Sequence, residues 1–170
     1  MSAGLNEMVV ESVRVHMLSS QHVVILRDTG RERYLPIWIG PWEANAIAMR
    51  LQGVTPERPM THDLFSQTLE ELGVVLKQIV VSDLADDTFR ARLLLELDGR
   101  SVDMDARPSD AIALAVHAGV PIFATDAVLD RAAVVPEGDE EEKLSVFREF
   151  VNSLNIDLPG EEPEERRRLD

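Results

Sequence analysis

Two short segments of this chain carry the same instruction. Arg58-Pro59-Met60-Thr61-His62-Asp63 and Ala106-Arg107-Pro108-Ser109-Asp110 each set Arg-Pro ahead of a hydroxyl residue, then an aspartate, then an apolar run. Proline pushes the residue before it towards extended backbone. Thr61 and Ser109 are good N-caps, and Asp63 and Asp110 fall in a first turn, where the helix dipole favours negative charge. The chain is thus required twice to pass from extended backbone into a helix through one cluster of guanidinium, hydroxyl and carboxylate. If the two starts meet in space, they make a polar site.

The surrounding pattern predicts what these helices join. Met8 to Leu18 alternates as a strand with one irregularity at Ser12/Val13. His22 to Arg27 and Arg33 to Ile39 read as two more strands around the turn Asp28-Thr29-Gly30, an antiparallel meander. Gly40-Pro41 ends it and opens a helix over Trp42 to Leu51. Thr61 to Leu72 is an amphipathic helix presenting Leu64, Phe65, Thr68, Leu69 and Leu72 on one face, closed by Gly73. Val74 to Leu84, Phe89 to Leu97 and Ser101 to Asp105 are strands, with Asp98-Gly99 a strong hairpin signal. Ser109 to Ala118 is an apolar helix stopped by Gly119, Val120 to Ala124 a short buried strand, and Thr125-Asp126 starts a helix to Ala133. The order points to an α+β single domain with a mixed, largely antiparallel sheet flanked by helices. Residues 1–135 form that domain, 136–158 a helical extension with a stripe of Leu144, Phe147, Val151 and Leu154, and 159–170 a disordered acidic tail.

Charge narrows the function classes. The net charge is −14, and Pro136 to Asp170 alone holds twelve acidic and five basic residues. Lysine occurs only at Lys77 and Lys143, so any nucleic-acid contact needs a local arginine patch, a metal ion or both. There is no cysteine, hence no disulfide and no thiolate metal site. The N-terminus does not read as a secretory signal, and no stretch approaches the ~20 apolar residues of a membrane span. A cytoplasmic protein with no membrane partner is expected.

The segments Leu35 to Ala48 (LPIWIGPWEANAIA), Arg58 to Leu64 (RPMTHDL), Thr88 to Glu96 (TFRARLLLE), Asp105 to Ala115 (DARPSDAIALA) and Val120 to Ala124 (VPIFA) resemble, in order and spacing, the bifunctional nuclease domain family. The resemblance runs from about Met8 to Val134, and the acidic C-terminal part looks like the extension some bacterial members carry. It implies a single α+β domain, a homo-oligomer, and hydrolysis of DNA and RNA phosphodiesters.

The residue types suit that chemistry. A metal-dependent nuclease uses carboxylates to hold Mg²⁺ or Mn²⁺, and Asp63, Asp105 and Asp110 are the candidate ligands. His62 is the candidate base. Arg58 and Arg107 are candidate phosphate clamps, joined by Thr61, Ser109 and Glu43 as substrate-binding residues at helix starts. Capping, or internal pairing of Arg107 with Asp105 or Asp110, explains the same residues without chemistry. Trp38 and Trp42 could stack a base or a sugar, but core or subunit-interface packing is the stronger reading of both. His16 and His117 read as structural. The alternative is a non-enzymatic oligomeric module that binds a small anionic ligand or a protein partner.

Overall fold

The computed structural model describes residues 4–16, 18–136, 148–149 and 156–157. The three-strand meander is β1 (Leu5–His16), β2 (His22–Asp28) and β3 (Tyr34–Ile39), followed by α1 (Pro41–Leu51) and α2 (Thr61–Glu71). Then come β4 (Val75–Ala85), β5 (Thr88–Leu97), β6 (Arg100–Ala106), α3 (Pro108–Ala118), β7 (Ile122–Thr125), α4 (Asp126–Ala132) and the short β8 (Ile156–Asp157). The sheet runs β3-β2-β1-β7-β4-β5-β6, and β8 pairs with the end of β1. Only the β4–β7 contact is parallel among the strand pairs described. The fold is therefore α+β with a mixed, mostly antiparallel sheet.

Local chemistry explains the turns. Asp98 and Gly99 both take positive φ, the geometry of a two-residue hairpin whose twist matches its strands. The irregularity in β1 is a β-bulge between Val10 and Ser12. In the β2–β3 turn the Asp28 carboxylate accepts from the Gly30 N–H at 2.8 Å and from Arg33 Nε at 2.7 Å, and both partners of that ion pair are buried.

Helix α3 is the axis of the domain. Pro108, Ser109 and the run Ala111 to Ala115 are all buried. A helix apolar all round has to be enclosed. The sheet curls about it so that β3 and β5, far apart in strand order, both touch it, while α1 and α2 pack on its remaining side. Its buried alanines carry no atoms beyond Cβ, so these elements can approach closely.

Two expectations fail here. Thr61 and Ser109 are not N-caps: those positions belong to Met60 and Arg107, and at α2 it is the Asp63 carboxylate that reaches back to accept the N-cap N–H. Pro108 fits the first helical position, which moves the boundary one residue earlier and draws Ser109 into the buried first turn. The apolar face expected for α2 is covered only in part: Leu69 packs half-buried against the core. Leu64, Phe65 and Leu72 are exposed, and the buried residue of α2 is Ser66. The small Ser66 is what lets α2 lie close to the domain. The expected helix over Glu140 to Leu154 and the tail from 159 lie outside the described residues, apart from 148 and 149.

Candidate functional site

The start of α2 lies across the flank of α3 rather than end to end with it. His62 Nε2 is 3.0 Å from Asp110 Oδ1, in the first turn of α3. One residue on, Asp63 Oδ1 is 3.1 Å from Nδ1 of His117, near the other end of α3. Asp110 and His117 are seven residues apart, two helical turns, so they share one face of α3. The two helices are cross-linked by a reciprocal pair: histidine to aspartate in one direction, aspartate to histidine in the other.

An ionised carboxylate only accepts hydrogen bonds, so the imidazole nitrogen facing it carries the hydrogen. That leaves Nδ1 of His62 and Nε2 of His117 for a ligand. Both rings line a cavity of about 310 Å³ between α1, the loop after it, α2 and α3, with Ala113 between them. Arg50 lines the same cavity, and its Nη2 donates to the His117 carbonyl at 3.1 Å, supplying a cation at the C-terminus of α3. Thr55, Glu57, Asp63 and Gln67 complete its polar lining.

A second layer fixes the first. Arg107 Nε donates to Asp110 Oδ2 at 2.9 Å, and Arg107 Nη2 donates to Glu43 Oε1 at 2.8 Å. Hydrogen bonding to Asp110, then its charge, then Glu43 hold the Arg107 guanidinium above its ordinary value. Glu43 is well buried in the first turn of α1, with its Oε2 only 2.5 Å from where a Cβ on Gly40 would sit. Gly40 thus leaves room for the carboxylate that reaches Arg107. The second oxygen of Asp63 accepts the Met60 N–H at 2.9 Å, which joins the helix boundary to the histidine pair.

Not every expected residue arrives. Asp105 sits across from Arg92 on the edge strand β6, while its neighbour Met104 pairs with the core residue Leu93. Alternation then puts Asp105 on the face of the sheet turned away from the helices. Arg58 is exposed, lines neither this cavity nor an ion pair among the described residues, and stands one residue from those that do. Thr61 is exposed, and Ser109 is buried beside Arg107.

These positions bear on metal binding. A divalent ion needs several oxygen donors with free lone pairs. Asp110 already serves His62 and Arg107, and Asp63 already serves His117 and the Met60 N–H. A cation on Asp110 would also face the Arg107 guanidinium. Among the described residues no group of three His, Asp or Glu side chains is disposed to hold a metal. The expected set of Asp63, Asp105 and Asp110 does not fit Mg²⁺ or Mn²⁺ in this arrangement.

His117 and Arg50 are the residues that sequence reasoning missed. The i, i+7 relation of Asp110 and His117 on one helix was the available signal. Arg50 gave none, because its place depends on how α1 crosses α3.

Residues 24–137 match the bifunctional nuclease domain. The chain belongs to the bifunctional nuclease domain family. All of the site residues described above fall within the matched stretch. An uncharacterized protein of Mycobacterium tuberculosis strain H37Rv is 41% identical over 162 residues, which cover 90% of this chain and 97% of that protein. Bifunctional nuclease 2 of Oryza sativa subsp. japonica is 28% identical over 106 residues, 60% of this chain and 33% of its own length. Bifunctional nuclease 1 of Arabidopsis thaliana is 25% identical over 103 residues, 59% and 32% respectively. The match thus takes in about a third of each plant protein. Among the described residues no helix is long and apolar enough to cross a membrane.

Proposed function

We propose that the chain is a phosphodiester-cleaving nuclease whose acid–base pair is His62 and His117. The observation that carries this reading is the reciprocal pairing His62–Asp110 and Asp63–His117 at the wall of one cavity, in a chain of the bifunctional nuclease domain family. Phosphodiester transfer needs a proton taken from the attacking oxygen and a proton given to the leaving oxygen. Imidazole is the side chain that does both near neutral pH. An aspartate behind each ring fixes its tautomer and steadies its protonated form.

In this reading one neutral imidazole takes the proton of a water or ribose hydroxyl as its oxygen attacks phosphorus. The other, entering as imidazolium, gives its proton to the departing oxygen as the P–O bond breaks. Arg50, at the same cavity, is placed to balance charge on the phosphoryl oxygens. Arg107 and Glu43 keep Asp110 oriented. Arg58 and Thr61, both exposed, serve as outlying contacts for a longer strand. The acidic surface makes this a protein that binds nucleic acid weakly and locally rather than along a broad basic face. The exposed Leu64, Phe65 and Leu72 of α2 favour the expected homo-oligomer.

Fluorescent single-stranded RNA and DNA oligonucleotides, incubated with protein in EDTA and separately with Mg²⁺ or Mn²⁺, test the reading. Cleavage should fall by about 10²–10⁴ in His62→Ala and in His117→Ala, with circular dichroism unchanged. Metal-stimulated cleavage that survives loss of both histidines would sink the acid–base assignment. Absence of cleavage, together with a saturable thermal shift by inorganic phosphate, would favour the binding module instead.

A further inference from the structure

The meander β1–β3 has two faces, and strand register sorts its side chains between them. Val24 and Leu26 of β2 stand beside Val13 and Val10 of β1 and beside Ile37 and Leu35 of β3, and all six belong to the main core or pack against it. Helix α1 packs on β2 from that inner side, where its Ile47 joins the same core. Val23 and Ile25 turn the other way. Their neighbours in register are Arg14 and Ser12 of β1, and Trp38 and Pro36 of β3.

An antiparallel sheet can leave one face in water, and such a face is polar. This outer face is neither polar nor wet. Val23 and Ile25 are fully buried, in a small cluster separate from the main core, with Tyr34 packed against it. Arg14 on the same face is 8% exposed, and Ser12 Oγ is buried. Strand neighbours and one tyrosine are too little to keep water off a whole sheet face, so a further layer is required. Trp38, half exposed at the edge strand, stands at its rim.

Two positions along the chain say what supplies that layer. Val134 and Tyr34 exchange backbone hydrogen bonds of 2.7 and 2.9 Å at the start of β3, and Pro136 just beyond is buried. The chain is next described on the sheet at Ile156 and Asp157, which pair with His16 and Val15 at the far end of β1. Tyr34 is level with Arg27 and Val9, so the two points lie about 20 Å apart along the strands and about 15 Å apart across them. Residues 137–155 join them, and as a helix they would reach about 28 Å, enough for that diagonal. Arg148 and Glu149, the described residues in this stretch, are helical and exposed. Leu144, Phe147, Val151 and Leu154 recur at helical spacing, and Glu149 falls opposite them. We propose that residues 137–155 of the same chain lie across the outer face of β1–β3 as an amphipathic helix, with that stripe seated on Val23 and Ile25. The family-matched residues 24–137 thus have their second sheet face closed by the sequence that follows them.

The chain has no cysteine, so a single introduced thiol reports on one place. Full-length Ile25→Cys protein is reacted with Ellman's reagent, alone and combined with Phe147→Asp and Val151→Asp. The paired substitution in the stripe should speed the reaction by at least about tenfold, because it opens the outer face locally. Val24→Cys, on the inner face, should stay slow in both backgrounds, which separates uncovering from unfolding. Arg148→Glu with Glu149→Lys, the exposed pair, should leave Ile25→Cys slow. If Ile25→Cys fails to fold, Val23→Cys takes its place. If the stripe substitutions unfold the domain, Phe147→Ala with Val151→Ala replaces them. A fast reaction of Ile25→Cys with the stripe intact would show an open face. A reaction equally slow with and without the stripe would show a different cover. Either result overturns the proposal. So does a reaction that speeds up on hundredfold dilution of the protein, which would give the covering role to a second copy.

Discussion

His117 Nδ1 stands 3.1 Å from Asp63 Oδ1, and neither side chain is more than about a quarter exposed. The pair joins the last turn of one helix to the first turn of another, which gives it a mechanical as well as a chemical role. Paired charges this close to solvent contribute little to folding, commonly ~1 kcal/mol or less. His117→Ala should therefore unfold in urea within about 1 kcal/mol of the parent, while cleavage falls by about 10²–10⁴. Loss of stability as large as the loss of activity would make the pair a scaffold only.

Gly40 and Glu43 form a second testable unit. A methyl group on Gly40 would meet Glu43 Oε2 at 2.5 Å, and the flexible end of Glu43 would move to relieve it. That movement breaks the 2.8 Å bond to Arg107. Gly40→Ala and Glu43→Gln should then reduce cleavage to similar extents, and the double variant should be no worse than either. The expected coupling in transition-state free energy is about 0.5–3 kcal/mol. Strict additivity would show that Gly40 acts elsewhere.

The Asp28–Arg33 pair is the buried ion pair of the meander, with side chains 3% and 8% exposed. Burial alone would raise the Asp28 carboxyl, but the Arg33 hydrogen bond and charge, with the Gly30 and Arg31 backbone, hold it below its usual value. A carboxyl lowered in the folded state stabilises above its unfolded value, near pH 3.8 here, and that stabilisation fades as pH falls through the lowered folded value. Asp28→Asn leaves Arg33 buried and unpaired, so stability at pH 7 should drop by about 3–5 kcal/mol. Urea melts between pH 6 and 2.5 should also show a shallower acid slope in the variant. An unchanged slope would place the acid sensitivity on other carboxyls.

Much of this fold was legible because its signals are local. Asp98-Gly99 forces positive φ in both turn residues, and Gly119 takes the left-handed conformation that stops α3. The Arg-Pro repeats marked both helix starts and led to His62, Asp63, Arg107 and Asp110. What failed depended on distance. Asp105 is two residues from Arg107, yet it still belongs to β6, on the face turned away from the helices, whereas Arg107 has already left the strand as the N-cap of α3. His117 looked structural because an apolar helix surrounds it, and only the crossing of α2 over α3 gives it a carboxylate. Periodicity gave α2 an apolar face but could not say whether the domain covers it.

That face supplies a contrast in stability. Leu72 is 67% exposed on α2, whereas Ile112 is fully buried in α3 between the sheet and the other helices. Removing buried methylenes loses their transfer energy and leaves a cavity, so Ile112→Ala should cost about 2–5 kcal/mol. Leu72→Ala removes little from the folded monomer and should fall within about 0.5 kcal/mol. Urea unfolding at micromolar protein gives both values. Repeating the Leu72→Ala melt over a hundredfold range of protein concentration extends the comparison. If α2 is covered by a second copy, the parent's midpoint rises with concentration by mass action and the variant's rises less. Identical, concentration-independent midpoints would mean that the leucine stays in water and that association, if it occurs, uses another surface.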